Sequence, residues 1–316
     1  MAKLEKFIFD LDDRFKDGFT NRVQTRRNVT LIRDVAYGEE ECCKLDLCYD
    51  ADHDGEFPVW INIHGGGWVT GDKHWRRGQG MLYADMGLFV VTPNYGLSPQ
   101  YRYHEALGHL NRALRWVYEH AQEYRLGLRH VFISGDSAGG QLACLLAAVS
   151  GNAAFWARLG QEPSGIAFCG AALACGAYDF DAMRRNPVAL PMVRDMIGLK
   201  PKSIDRYPYR DMLYAVDWVN ADFPQDVLIA YGRWDVFVRG HEQLLADKLR
   251  SLGKRYWLYR GGGTGDHCFH LWYRRKASRI FYDAVQKYVE QKCADDAVDL
   301  PAPIVGYPQL APCKCE

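Results

Sequence analysis

Charge of one sign is what this chain lacks: 39 Lys and Arg stand against 39 Asp and Glu. That balance draws the protein neither to nucleic acid nor to an anionic membrane surface, and neither is expected as a partner. Long apolar runs are missing as well. No segment approaches membrane-spanning length without charges. The amino terminus, MAKLEKFIFDLDDRFKDGF, interrupts its apolar residues with charged ones and offers no small-residue cleavage site, so it does not read as a secretory signal. A soluble, cytoplasmic protein is the expectation. The ten cysteines lack metal-site spacing: Cys42-Cys43 and Cys313-x-Cys315 have no partner set, while Cys144, Cys169 and Cys175 lie inside apolar runs as small buried hydrophobes would. Neither a metal site nor a nucleophilic cysteine is expected. Phosphate-cradling glycine patterns are absent too, because neither residues 64–68 nor 261–265 fit G-x-x-x-x-G-K-[ST] or G-x-G-x-x-G.

What is present is a regular alternation. Residues 29–35 and 44–49 read as a leading antiparallel pair of strands, and residues 58–63 as a mostly apolar strand ending in His64-Gly65-Gly66-Gly67-Trp68. A helical stretch at 72–86, a strand at 88–92 and a long amphipathic helix at 104–124 follow. Residues 131–133 are a strand, 138–148 a helix, and 166–176 a strand rich in small residues. Strands at 226–232 and 256–259 alternate with helices at 239–252 and 273–292. Such alternation predicts an α/β fold with a mostly parallel sheet, helices on both faces, and catalytic groups at the carboxyl ends of strands. Residues 179–218 break the rhythm with four prolines and scattered aromatics, and are expected to form an inserted cap of short helices. The domain plan is therefore an amino-terminal helical segment at 1–28 contributing to the cap, a catalytic domain at 29–294, and an irregular tail at 295–316.

The chemistry centres on residues 131–148, VFISGDSAGGQLACLLAA, which read as strand, sharp turn and helix. Gly135 to Gly139 fit G-x-S-x-G, in which small flanking residues let the backbone turn tightly enough to hold a serine hydroxyl above the sheet. The bland reading is a glycine-rich loop with an N-cap serine; the functional one makes Ser137 a nucleophile. A serine needs a base, and the base a carboxylate to fix its tautomer. Asp235 stands just past the strand at 226–232, where a carboxylate reaches inward. Of the histidines that follow it, His241 falls in the next helix and is expected to point away. His267 follows a strand and a glycine-rich loop, and His270 is the reserve. The N–H groups of Gly66 and Gly67, with that of Ala138 after the nucleophile, are the candidate oxyanion donors, with Gly65 a further option; His64 reads as a loop brace rather than a base. Trp68, Tyr178 and the aromatics of 207–218 are equally candidates for pocket lining and for core.

HGGGW at 64–68 and GDSAGG at 135–140, with Pro93-Asn94-Tyr95 between them, resemble the hormone-sensitive-lipase-like branch of the α/β-hydrolase esterases. The similarity covers roughly residues 30–290. It implies an eight-stranded sheet with a helical cap, no cofactor, and hydrolysis of short or medium acyl esters. Carried over, Ser137 is the nucleophile, Asp235 the acid, His267 the base, and Gly66, Gly67 and Ala138 the oxyanion hole. Where such families often show Tyr-Arg-Leu-Ala-Pro, this chain reads Tyr95-Gly96-Leu97-Ser98-Pro99. Trp68 and Leu45-Asp46-Leu47 also resemble feruloyl or acetylxylan esterases and kynurenine formamidases. A serine carboxylesterase acting on a small-molecule ester is the reading; an aryl formamidase and a non-catalytic small-molecule receptor on the same scaffold are the alternatives. The oligomeric state is left open, a homodimer among the options. A histidine base implies that activity falls below a limb at about pH 6 to 7.

Overall fold

The computed structural model describes residues 23–261 and 266–294. Of the residues 1–28 expected to be helical, only 23–28 are described and they form no helix; residues 1–22, residues 262–265 of the glycine loop and the tail from residue 295 lie outside the described residues. Eight strands form one sheet in the order β1-β2-β4-β3-β5-β6-β7-β8. They are β1 (Val29–Ala36), β2 (Lys44–Asp50), β3 (Phe57–Ile63), β4 (Phe89–Pro93), β5 (Leu126–Asp136), β6 (Gly170–Ala174), β7 (Asp226–Gly232) and β8 (Arg255–Gly261). β2 runs antiparallel to both β1 and β4, and every other pairing is parallel. This is the sheet expected of an α/β-hydrolase.

Parallel strands need helical crossovers, so the central strands are covered on both faces and become continuous apolar runs. β3, β5, β6 and β7 follow that rule: Trp60, Val131, Phe132, Ile133, Leu173 and Ile229 are all buried. The helix Tyr103–Glu119 buries a stripe through Leu107, Leu110, Leu114 and Val117, and Glu105 closes a capping box at its start. It stops at Glu119, short of the expected residue 124, in a turn that leads directly into β5. β6 is likewise shorter than the expected 166–176, because only Gly170–Ala174 pair with β5 and Cys175 already turns into the left-handed region at φ 50°. Between β6 and β7 the chain forms five short helical segments, the longest being Leu190–Ile197. Among the described residues no helix is long and apolar enough to cross a membrane.

Three backbones converge where β5 ends. The helix Ala138–Val149 starts immediately after β5 and packs against the loop that follows β3. A Cβ on Gly139 would lie 2.3 Å from the Ile63 carbonyl oxygen and 2.4 Å from that of His64, and one on Gly135 would lie 2.3 Å from the Gly139 carbonyl. These contacts are with backbone, which cannot swing aside. We therefore expect Gly139→Ala to cost about 1–3 kcal/mol or more in urea unfolding. Gly151→Ala, at a position where an added Cβ meets nothing within 4 Å, should change stability by no more than about 0.5 kcal/mol.

Candidate active site

Ser137 occupies the turn between β5 and its helix with φ 54° and ψ −121°, a conformation that L-residues adopt only when their surroundings enforce it. Its N–H donates to the Ala174 carbonyl at 3.0 Å, while its own carbonyl accepts from Gln141 at 3.1 Å and Ala177 at 3.3 Å. The hydroxyl is thereby held clear of both the strand and the helix. Asp235 and His267 arrive from the ends of β7 and β8, and the three side chains meet. His267 Nδ1 donates to Asp235 Oδ2 at 2.7 Å, leaving Nε2 as acceptor for the Ser137 hydroxyl at 2.8 Å. Residues 130 and 32 positions apart in sequence thus form one chain of hydrogen bonds.

The electrostatics suit that chain. Burial alone would push the Asp235 carboxyl up, but the His267 imidazole and the N–H groups of Val238 and Phe237, at 3.0 and 2.9 Å from Oδ1, hold it below the usual carboxylate range. Burial disfavours the His267 imidazolium, the Asp235 carboxylate in contact at 2.7 Å favours it, and the net direction is well above the ordinary imidazole value. An imidazolium stabilised by a buried carboxylate in direct contact gives up its proton at higher pH than a free one.

The remaining expected residues fall as follows. Gly66 and Gly67 adopt φ values of 127° and 58°, open to glycine at no steric cost, and the Gly66 carbonyl takes the N–H groups of Val69 and Thr70. Gly67 and Ala138 line the pocket beside Ser137 and His267; Gly66 does not line it. Ala138 is the first residue of its helix, where backbone N–H groups have no intrahelical acceptor. His64 is buried and stacked on Tyr95 at 4.4 Å, its Nδ1 against the Gly65 carbonyl at 2.8 Å, and burial holds it down to about 4; it braces the loop as a neutral ring. His241 is buried with Nδ1 accepting the Asp179 N–H at 3.3 Å. His270 packs edge-on against Phe281 at 5.5 Å, in the core.

The pocket is nearly filled. Only about 10 Å³ of free space remains at Ser137, roughly the room of one water. Met183 and Met192 from the short helices, Ala177, and Phe237 and Val238 after Asp235 line it together with Trp68. Sequence reasoning singled out Trp68 but missed both methionines and Phe237, which carry no motif. Tyr178 is instead buried against Gly176, and Tyr209 stacks on His104 at 4.2 Å, lining a separate cavity of about 350 Å³. Arg76 was also missed. Its guanidinium grips Asp136, the residue before the serine, with Nε at 2.8 Å and a second nitrogen at 2.7 Å, both side chains being buried.

The sequence matches the BD-FAE family over residues 45–249. It is 30% identical over 284 residues to the probable carboxylic ester hydrolase LipM of Mycobacterium tuberculosis, an alignment covering 87% of this chain and 64% of that protein. Esterase LipQ of the same organism is 24% identical over 235 residues, covering 73% of this chain and 55% of LipQ. The chain thus spans less than two thirds of the length of either relative. Esterase B from Lactobacillus rhamnosis, solved with a C6-C4 SN3 inhibitor, shares the fold with a TM-score of 0.81 at 21% identity, covering 92% of this chain and 96% of that one. The carboxylesterase EstE1 from a metagenomic library shares it with a TM-score of 0.70 at 18% identity, covering 92% and 98%.

Removing one partner of a buried ion pair leaves the other charge without compensation, at a cost of about 3–5 kcal/mol. Arg76→Met should therefore lower stability by that order in urea unfolding. The double variant Arg76→Met with Asp136→Asn should recover part of the loss.

Proposed function

The chain belongs to the BD-FAE family, and on that premise we propose that it is a serine carboxylesterase hydrolysing short- to medium-chain acyl esters of small molecules. The observation that carries this reading is the run of hydrogen bonds from Asp235 through His267 to Ser137, at 2.7 and 2.8 Å, with the serine on a strained strand-to-helix turn. Ser137 Oγ attacks the ester carbonyl as its proton passes to His267 Nε2, and Asp235 holds the resulting imidazolium. The developing oxyanion is received by backbone N–H groups of Gly66, Gly67 and Ala138. His267 then returns the proton to the departing alcohol, leaving an acyl-enzyme. A water, deprotonated by the same imidazole, releases the acid and restores the serine.

The small free space between Gly67 and Met192 supports an acyl group at the short end of the range. Cytoplasmic residence is supported by the eight described cysteines, all of them free thiols.

Hydrolysis of p-nitrophenyl esters from acetate to decanoate tests the reading, with the optimum expected at the shorter chains. Ser137→Ala, folded by circular dichroism, should lose about 10⁶-fold in kcat. Turnover of an aryl formamide but of no ester would move the assignment to amide hydrolysis, and tight ligand binding without any turnover to a receptor.

The pH profile is a separate check. The base must be neutral to accept the serine proton, and its titration lies above the ordinary value of about 6.5. Activity should therefore rise with pH through a limb on the alkaline side of that value. Asp235→Asn should lower kcat by about 10⁴-fold and move the limb toward acid, because the carboxylate that stabilises the imidazolium is gone.

A further inference from the structure

Beneath His267 lie two thiols that the hydrolytic chemistry does not use. Cys175 follows β6 and Cys268 follows His267, and both stand in the left-handed region, at φ 50° and 54°. These conformations turn the two side chains toward one another from segments 93 residues apart: the Cys268 N–H donates to Cys175 Sγ at 3.3 Å. Cys268 Sγ points on toward Asp136 Oδ2 at 3.6 Å. Both thiols are buried, at 2% and 5% exposure, while His267 opens to the pocket. The two sulfur atoms and a ring nitrogen of His267 all lie within 4.8 Å of one another.

Two sulfurs and an imidazole are the donor set that thiophilic divalent cations prefer. Bonds of about 2.3 Å to sulfur and 2.0–2.1 Å to nitrogen set such ligand atoms roughly 3.5–3.8 Å apart in a tetrahedron. Closing from within 4.8 Å to that separation takes at most about 1 Å of side-chain movement, with a fourth position left for water. The charges balance: the cation displaces one proton from each thiol, and the two thiolates neutralise its two positive charges. The imidazole cannot hold a metal and complete the relay, since each of its ring nitrogens is already committed, one to Asp235 and the other to Ser137.

We propose that Cys175, Cys268 and His267 form a binding site for a thiophilic divalent cation of the zinc and cadmium class, and that occupancy switches hydrolysis off by withdrawing His267 from the relay. The inhibitory part of this inference rests on the esterase reading; the site itself does not. A second group of possible ligands, Cys42, Cys43 and His109, is removed from the test by substitution.

The test uses the full chain carrying Cys42→Ser and Cys43→Ser, titrated with Cd²⁺ alone and then with Zn²⁺. The expected result is one Cd²⁺ per chain, an ultraviolet thiolate-to-cadmium absorption that grows in step with the loss of p-nitrophenyl acetate turnover, and recovery on adding a chelator. In that background Cys175→Ser and Cys268→Ser, made separately, should each turn over ester without metal, lose the absorption, and need at least about tenfold more metal for half inhibition. Full inhibition retained in both variants overturns the proposal, as does an absorption that grows while turnover stays unchanged. A protein that hydrolyses no ester overturns the esterase reading and the inhibition with it. The site is then judged by the absorption and by His267→Ala, which must weaken Cd²⁺ binding if the imidazole is a ligand.

Discussion

Everything at this site depends on the close approach of three backbone segments at the carboxyl end of β5. The strand must turn into its helix within one residue, while the loop after β3 presses against the first turn of that helix. Glycine at 135 and 139 leaves room for carbonyl oxygens that any side chain would strike. What is left for residue 137 is a conformation unfavourable for an L-residue, and the hydrogen bonds of Ser137 to Ala174, Gln141 and Ala177 hold it there. The strain is local, and the surrounding sheet over-determines it.

A layer of charge fixes the turn from below. Both oxygens of Asp136 are held by Arg76, so the acid inside the G-D-S-A-G sequence does not compete with Asp235 for the histidine. Asp235, in turn, is oriented by two backbone N–H groups on one oxygen, which leaves the other aimed at His267 Nδ1. The division of labour between these two buried carboxylates is set by their neighbours. One faces a permanent cation and is structural; the other faces a titratable ring and can stabilise a cation that forms only when a proton moves.

Above the serine the packing is softer. Methionines 183 and 192 come from short helices between β6 and β7 and close the pocket to about 10 Å³. Methionine is unbranched and polarizable, so it fills irregular space and yields with little cost. A rigid catalytic floor under an adaptable roof follows from where the two sets of residues sit. The floor is built on strand ends within the sheet, whereas the roof lies on helices of eight residues or fewer.

Much of this was legible in the sequence because strand-to-helix alternation and glycine-bearing turns are local signals. The eight strands, the elbow at Ser137, the glycine loop at 64–68 and the order of Ser137, Asp235 and His267 each rest on patterns within a few residues of one another. Strand and helix ends were less legible: β6 stops at Ala174 because β5 ends opposite it at Asp136 and Cys175 turns away, a fact about its neighbour. Arg76, Met183, Met192 and Phe237 carry no motif, since what recruits them is proximity across the sheet. Cys175 and Cys268 show the division most plainly. In sequence Cys175 is a small residue in an apolar run and Cys268 stands 93 positions away beside a histidine, and in space they meet beneath that histidine. The sequence by itself determined the fold class and which residue types could do chemistry, because periodicity and turn chemistry act over short range. Only the tertiary structure decided which charges pair, in which direction His267 titration is shifted and which thiols share a site, because electrostatics and packing depend on distances that chain order does not encode.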